Sequence, residues 1–155
     1  MALYLVQHGR SLSKQEDPEQ GLSPDGIDEV VRIAEVARQY GVPVTEIKHS
    51  GKKRARQTAE IFAQELNPAQ GIEYMEGLKP MDDVVPVARE LSSDRNWMLV
   101  GHLPFMERLT TFLLTGITDR PLFKFQNGGI VCLDDVPDSG GWVIRWALMP
   151  RIGRL

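Results

Sequence analysis

The sequence predicts an α/β protein of three layers, with helices on both faces of a mostly parallel central sheet and antiparallel strands closing its C-terminal side. Three observations predict it. The runs Leu3-Tyr4-Leu5-Val6-Gln7 and Trp97-Met98-Leu99-Val100-Gly101 are almost wholly apolar, as strands covered on both faces must be. Segments with apolar residues at helical spacing alternate with such runs, which is the pattern of a layered α/β domain. The tail then changes character: strand-like stretches at 129–133 and 142–148 flank Asp138-Ser139-Gly140-Gly141, a turn signal for an antiparallel pair.

In chain order, the first strand covers 3–7 and delivers His8 beside Gly9. Residues 10–23 form a polar loop, because Glu16-Asp17-Pro18-Glu19 is too charged and turn-prone for a buried element. Ser23 suits an N-cap and Pro24 the first helical position; Ile27, Val30, Val31, Ala34 and Ala37 follow on an apolar stripe, and Gly41 before Pro43 ends the helix. A short second strand covers 44–49. A turn at Ser50 opens a helix with Ala55, Ala59, Phe62 and Leu66 on its apolar face, stopped by Asn67-Pro68. Residues 72–75 are expected as a short strand and 78–80 as a loop. Asp82 or Asp83 caps a helix through Leu91. Strand 97–101 delivers His102. Pro104 starts a helix carrying Phe105, Leu109, Phe112 and Leu113 that ends before Gly116, and 123–125 is strand-like.

A chain of 155 residues is expected to form one domain over 1–155, large enough to bury roughly 70% of the surface it would expose unfolded. The net charge of −3 argues against a general nucleic-acid or anionic-membrane binder, although it leaves room for a local basic pocket. The single Cys132 excludes an internal disulfide, sits in an apolar run and reads as a small core residue. No Cys/His cluster has zinc spacing, so neither metal nor cofactor is expected. No stretch approaches the ~20 apolar residues that cross a bilayer, and Met1 to Val6 lacks the features of a signal peptide; the expected location is cytoplasmic.

The chemistry concentrates at strand ends. In open α/β sheets ligands bind beyond the carboxyl ends of the strands, which is where His8 and His102 fall. Between them lies Ser50-Gly51-Lys52-Lys53-Arg54-Ala55-Arg56-Gln57-Thr58. Arg54 and Arg56 stand about 200° apart around a helix, so only one of them can serve a given site. Arg54, near the helix start and on one face with Gln57 and Thr58, suits an anion, since helix amides and a guanidinium fork both favour phosphate. Read blandly, Lys52-Lys53-Arg54 is a solvated basic turn and His102 a helix-capping histidine. His49, flanking the charged turn, reads as structural.

Gln7-His8-Gly9 resembles the Arg-His-Gly signature of the histidine phosphatase superfamily, whose fold is phosphoglycerate mutase-like. Ser50, Arg54 and Gln57-Thr58-Ala59 are similar to its second arginine segment, and Gly101-His102-Leu103-Pro104 to its second-histidine segment. Order, spacing and chain length look most like its SixA-type phosphohistidine phosphatases, from residue 2 to about 148. The resemblance implies that His8 is a nucleophile phosphorylated on nitrogen, with Arg54 and His102 binding the phosphoryl oxygens and Gln7, Gly9, Arg10 and Leu103 near the substrate. It implies a partner that is either a phosphorylated protein, such as a histidine phosphotransfer domain, or a small phosphorylated molecule.

Two departures qualify this. Gln7 stands where the family has arginine, and it carries no charge. Arg10, two residues beyond His8, could replace it if its direction allows. A general acid has no clear match in Leu78-Lys79-Pro80, with Asp82 and Asp83 just beyond. The residues thus leave three readings: a metal-independent phosphatase acting on phosphohistidine, a small-molecule phosphomonoesterase, and a phosphate- or phosphohistidine-binding module with little turnover.

Overall fold

The computed structural model describes residues 1–153; Arg154 and Leu155, the last residues of the domain expected over 1–155, lie outside the described residues. The elements are β1 (Leu3–Gln7), α1 (Pro24–Gln39), β2 (Glu46–His49), α2 (Lys53–Leu66), β3 (Ile72–Tyr74), α3 (Val84–Ala88), a 3-10 turn (Ser93–Arg95), β4 (Trp97–Gly101), α4 (Phe105–Thr115), β5 (Ile130–Val136) and β6 (Gly141–Leu148). The six strands form one sheet in the order β3-β2-β4-β1-β5-β6. β3, β2, β4 and β1 run parallel, while β5 and β6 are antiparallel additions on the β1 side. This is the expected layered fold with a mostly parallel sheet.

Alternation along the central strands builds the two faces. Tyr4, Val6, Met98 and Val100 pack with Val30, Ile33 and Phe62 under α1 and α2. Leu3, Leu5 and Leu99 pack with Phe105, Met106 and Leu109 under α4, with Val84 and Val87 of α3 beside them. Every residue of β4 is buried, as is every residue of β1 but Gln7, which explains why both strands read as unbroken apolar runs. The pairing of β1 with β4 sets Gln7 opposite Gly101, so His8 and His102 leave neighbouring strands side by side.

Four expectations need correction. Residues 123–125 are not a strand: β5 already occupies the free edge of β1, and Phe125 instead drops into the core while Phe123 stacks edge-on against it at 5.4 Å. α3 ends at Ala88 rather than Leu91, its last turn closing through short bonds from Glu90 to Val87 and from Leu91 to Ala88. β2 begins at Glu46 rather than at residue 44. On α1, Ile27 is exposed and Ile33 is buried. The first turn of α1 lies so close to the loop after β1 that a Cβ on Gly26 would stand 2.1 Å from the Arg10 carbonyl oxygen. That contact fixes Gly26 on the inner face with Val30 and Ile33, and Ile27, about 100° further round the helix, is left outside.

Candidate active site

His8 follows the last residue of β1, and both its ring and its backbone are held by hydrogen bonds. Its Nδ1 lies 2.6 Å from the Gly9 carbonyl oxygen, so Nδ1 carries the ring proton and donates it there. Nε2 is then a lone pair, and the Arg54 Nε–H donates to it at 3.3 Å. The backbone is fixed as firmly. The His8 N–H donates to the Gly101 carbonyl (2.9 Å), Asn127 Nδ2 donates to the His8 carbonyl (3.0 Å), and the Gly9 N–H donates to Thr58 Oγ1 (2.9 Å). Thr58 in turn donates to the Arg54 carbonyl, one turn back on α2.

His102 is fully buried, with its ring 5.0 Å from that of His8 and tilted by 54°. Ser50 Oγ sits 2.6 Å from its Nε2, and its Nδ1 is buried without a partner. Burial, opposed by the bond to Gly9 and reinforced by the Arg54 charge, lowers the His8 pKa to about 4. Burial followed by His8, Arg54 and Lys52 lowers His102 to about 3. Both rings are therefore neutral at pH 7, and the fixed positive charge beside His8 is the Arg54 guanidinium.

His8, His102 and Arg54, expected together from the sequence, are brought together. The residues expected near the substrate divide. Gln7 lies at the site, but its Oε1 is buried with no hydrogen-bond partner. Gly9 has both backbone groups engaged, one with His8 and one with Thr58, so it orients the His8 ring and has no free amide for a phosphate. Arg10 turns to α1: its Nε meets Glu29 Oε1 at 2.9 Å and its terminal nitrogen lies 4.0 Å from Asp25. The buried Glu29 carboxylate requires a cationic partner, and Arg10 with Arg151 (3.0 Å) provides it; in this arrangement Arg10 does not replace the missing guanidinium. Leu103 packs onto the core below α4.

Asp82 accepts from the Lys79 N–H (2.9 Å) and Asp83 from the Val85 N–H (3.0 Å), so both act as local caps. His49 accepts from the Gly51 N–H at 3.0 Å and shapes the turn into α2. Arg56 points away and pairs with Glu60. Sequence reasoning missed Ser50, Thr58 and Asn127 as parts of this site. The position of Ser50 and Thr58 in the segment around Arg54 was an available signal; Asn127 had only a polar turn, Gln126-Asn127-Gly128, between apolar runs.

The model of the histidine phosphatase superfamily (branch 1) matches residues 3–84, and the chain belongs to that superfamily. Among solved structures, the protein histidine phosphatase SixA in complex with tungstate superposes with a TM-score of 0.82 at 26% identity, covering 97% of each chain. A protein from Agrobacterium tumefaciens assigned as a SixA phosphohistidine phosphatase gives 0.76 at 22% identity, over 96% of this chain and 97% of that one. A mycobacterial glucosyl-3-phosphoglycerate phosphatase gives 0.68 at 15% identity, over 96% and 99%, and shares the fold. No curated protein sequence matches the chain. Superfamily and site together support a phosphatase. No helix among the described residues is long and apolar enough to cross a membrane.

Proposed function

We propose that the chain is a phosphohistidine phosphatase that takes the phosphoryl group from a histidine on another protein, such as a histidine phosphotransfer domain, and releases it to water. The observation that carries this is the state of His8: Nδ1–H is held by Gly9, so Nε2 keeps a lone pair, which the Arg54 Nε–H meets at 3.3 Å and which attacks phosphorus once a phosphoryl oxygen takes up that N–H. In the first step a bond forms from Nε2 to phosphorus and the bond from phosphorus to the substrate nitrogen breaks. In the second, water attacks phosphorus, the bond to Nε2 breaks, and the imidazole is regenerated. The terminal nitrogens of Arg54 stabilise the equatorial oxygens of the transferred group. Ser50 occupies one nitrogen of His102, and Nδ1 is the one left for a phosphoryl oxygen. With that charge supplied by side chains, the reaction proceeds without a metal ion, and the protein works in the cytoplasm.

The substrate class follows from the leaving group. An alkoxide needs a positioned acid to depart, whereas an imidazole leaves already protonated near neutral pH. Asp82 and Asp83 are tied down as caps, which favours a phosphoramidate over an alkyl ester. Trapping an acid-labile phosphoenzyme from labelled phosphohistidine, present in the native chain and missing in His8→Ala, tests the mechanism. A higher kcat/KM for phosphohistidine than for sugar or serine phosphates tests the substrate; an equal value removes that assignment. One observation favours a second reading. Gln7 leaves the site a charge short with an unpaired oxygen, which suits a module that binds phosphohistidine without turning it over; such a module would bind phosphate yet yield no phosphoenzyme.

A further inference from the structure

The α1 face of the sheet is incompletely covered at the end away from His8. A cavity of about 590 Å³ opens there between the last turn of α1 and the strands β1, β5 and β6. Its floor is a cross-strand row, since Tyr4 pairs with Cys132 and Cys132 with Trp146. Its wall is the end of α1 and the short segment after it, where the small side chain of Ala37 and the bare backbone of Gly41 leave the volume open. Tyr4 stands three residues before Gln7 on β1, and the wall comes from the C-terminal end of α1, whereas the loop after His8 touches its N-terminal turn. The cavity is thus a place apart from the histidine pair.

Its chemistry is one-sided. Tyr4 is only 2% exposed, lines the cavity, and among the described residues its hydroxyl has no hydrogen-bond partner. The hydroxyl itself is not sealed from solvent, so it opens to the cavity, where water or a ligand group can pair with it. Burial, with Cys132 second, pushes the Tyr4 pKa up to about 12, so the group remains a donor. Arg145 stands at the rim, reaching the Met1 carbonyl at 3.5 Å, and among the described residues no carboxylate lies within 4.0 Å of it. No acidic side chain lines the cavity, and the Cys132 thiol, raised to about 11 by burial, stays un-ionised. A donor and a cation thus border an aromatic floor, and the space lies within the range of about 300–1,000 Å³ typical of ligand pockets.

We propose that this cavity is a second ligand site, which takes a small aromatic molecule bearing a carboxylate or sulfonate. The ring lies on the row of Tyr4, Cys132 and Trp146, and the anionic group is held by the Tyr4 hydroxyl and the Arg145 guanidinium. The test is a fluorescence titration of the intact chain with 1-anilinonaphthalene-8-sulfonate, with 4-phenylbutyrate and its neutral amide as competitors. Expected are one saturable site per chain and displacement by the carboxylate but not by the amide. Saturating tungstate, an anion for the His8 site, should displace nothing. Arg145→Gln and Tyr4→Phe should each weaken binding by at least about fourfold, the loss of one polar bond, with the thermal midpoint unchanged or raised in Tyr4→Phe. The proposal is overturned by the absence of saturable binding up to millimolar probe, by displacement with tungstate, by equal competition from the amide, or by either variant falling short of fourfold.

Discussion

The four α-helices of the described residues begin in two different ways. α1 and α3 are capped by their own chain: Ser23 Oγ accepts from the Gly26 N–H and Asp83 Oδ1 from the Val85 N–H. α2 and α4 have Lys52 and Pro104 at the N-cap and no side-chain hydrogen bond to their first turn. The capped pair serves the scaffold. The uncapped pair starts at the site, with Arg54 second in α2 and His102 three residues before α4. In α4 the Met106 N–H still finds the His102 carbonyl at 2.9 Å, so only part of each first turn lacks a protein acceptor, a cost in stability that an anion there would recover. Helix starts therefore separate the part of the chain that caps its own first turns from the part beside the histidine pair that does not.

The largest effect expected from breaking this division is at His8. His8→Ala should abolish turnover and phosphoenzyme together, whereas His102→Ala should leave weak activity; near-normal turnover in His8→Ala would remove the proposed mechanism. Next is Gln7→Arg, which adds a second guanidinium to the uncapped side. A charge-assisted bond is worth on the order of 1.5–3 kcal/mol, so tungstate should bind at least tenfold tighter. Loss of binding with an intact fold would mean that the pocket is shaped around the neutral amide.

Smaller effects sharpen the contrast. Lys52→Ser gives α2 a cap of its own and should raise stability by about 0.5–2 kcal/mol while weakening tungstate binding. Ser23→Ala should lose a similar amount with kcat unchanged. Denaturant titrations with and without tungstate read both, and equal ligand dependence in the two variants would erase the distinction. pH gives a further check. His8 and His102 titrate lower in the folded chain than unfolded, so the unfolded state binds more protons between about pH 6.5 and 4. Their neutral forms favour folding above about pH 6.5, and that contribution should decline as the pH falls through this window; a thermal midpoint flat from about pH 7 to 4.5 would contradict it. The acid limb of kcat/KM should likewise lie well below about 6.5. Least of all should chelation matter: activity after exhaustive EDTA treatment is expected to be unchanged.

The sequence revealed what local pattern encodes. β1 and β4 were legible because buried parallel strands need apolar side chains on both faces, and His8 and His102 because a histidine at the end of such a run stands out. Ser23 and Pro24 announced α1. Pairings between distant residues carried no such mark. Nothing near Arg10 tells that Glu29, on the following helix, will claim it, nor that Arg151 arrives from the far end of the chain to share that carboxylate. Asn127 holds the His8 carbonyl across 119 residues, a bond that no local pattern announces. Phe123 and Phe125 misled because an apolar triplet looks the same whether it pairs as a strand or plugs a core.

The side-by-side exit of His8 and His102 from β1 and β4 has a consequence for how such a site can change. Adjacent strands in any sheet stand ~4.8 Å apart, and the two imidazoles, 5.0 Å between centres, keep that spacing. The gauge of the histidine pair is thus set by backbone hydrogen bonding common to all sheets. Loops can lengthen, the charge at residue 7 can come and go, and new walls can rise around the mouth, while the two imidazoles stay at one separation. Altering that separation would mean unpairing two central strands, so change around the histidine pair is confined to the periphery.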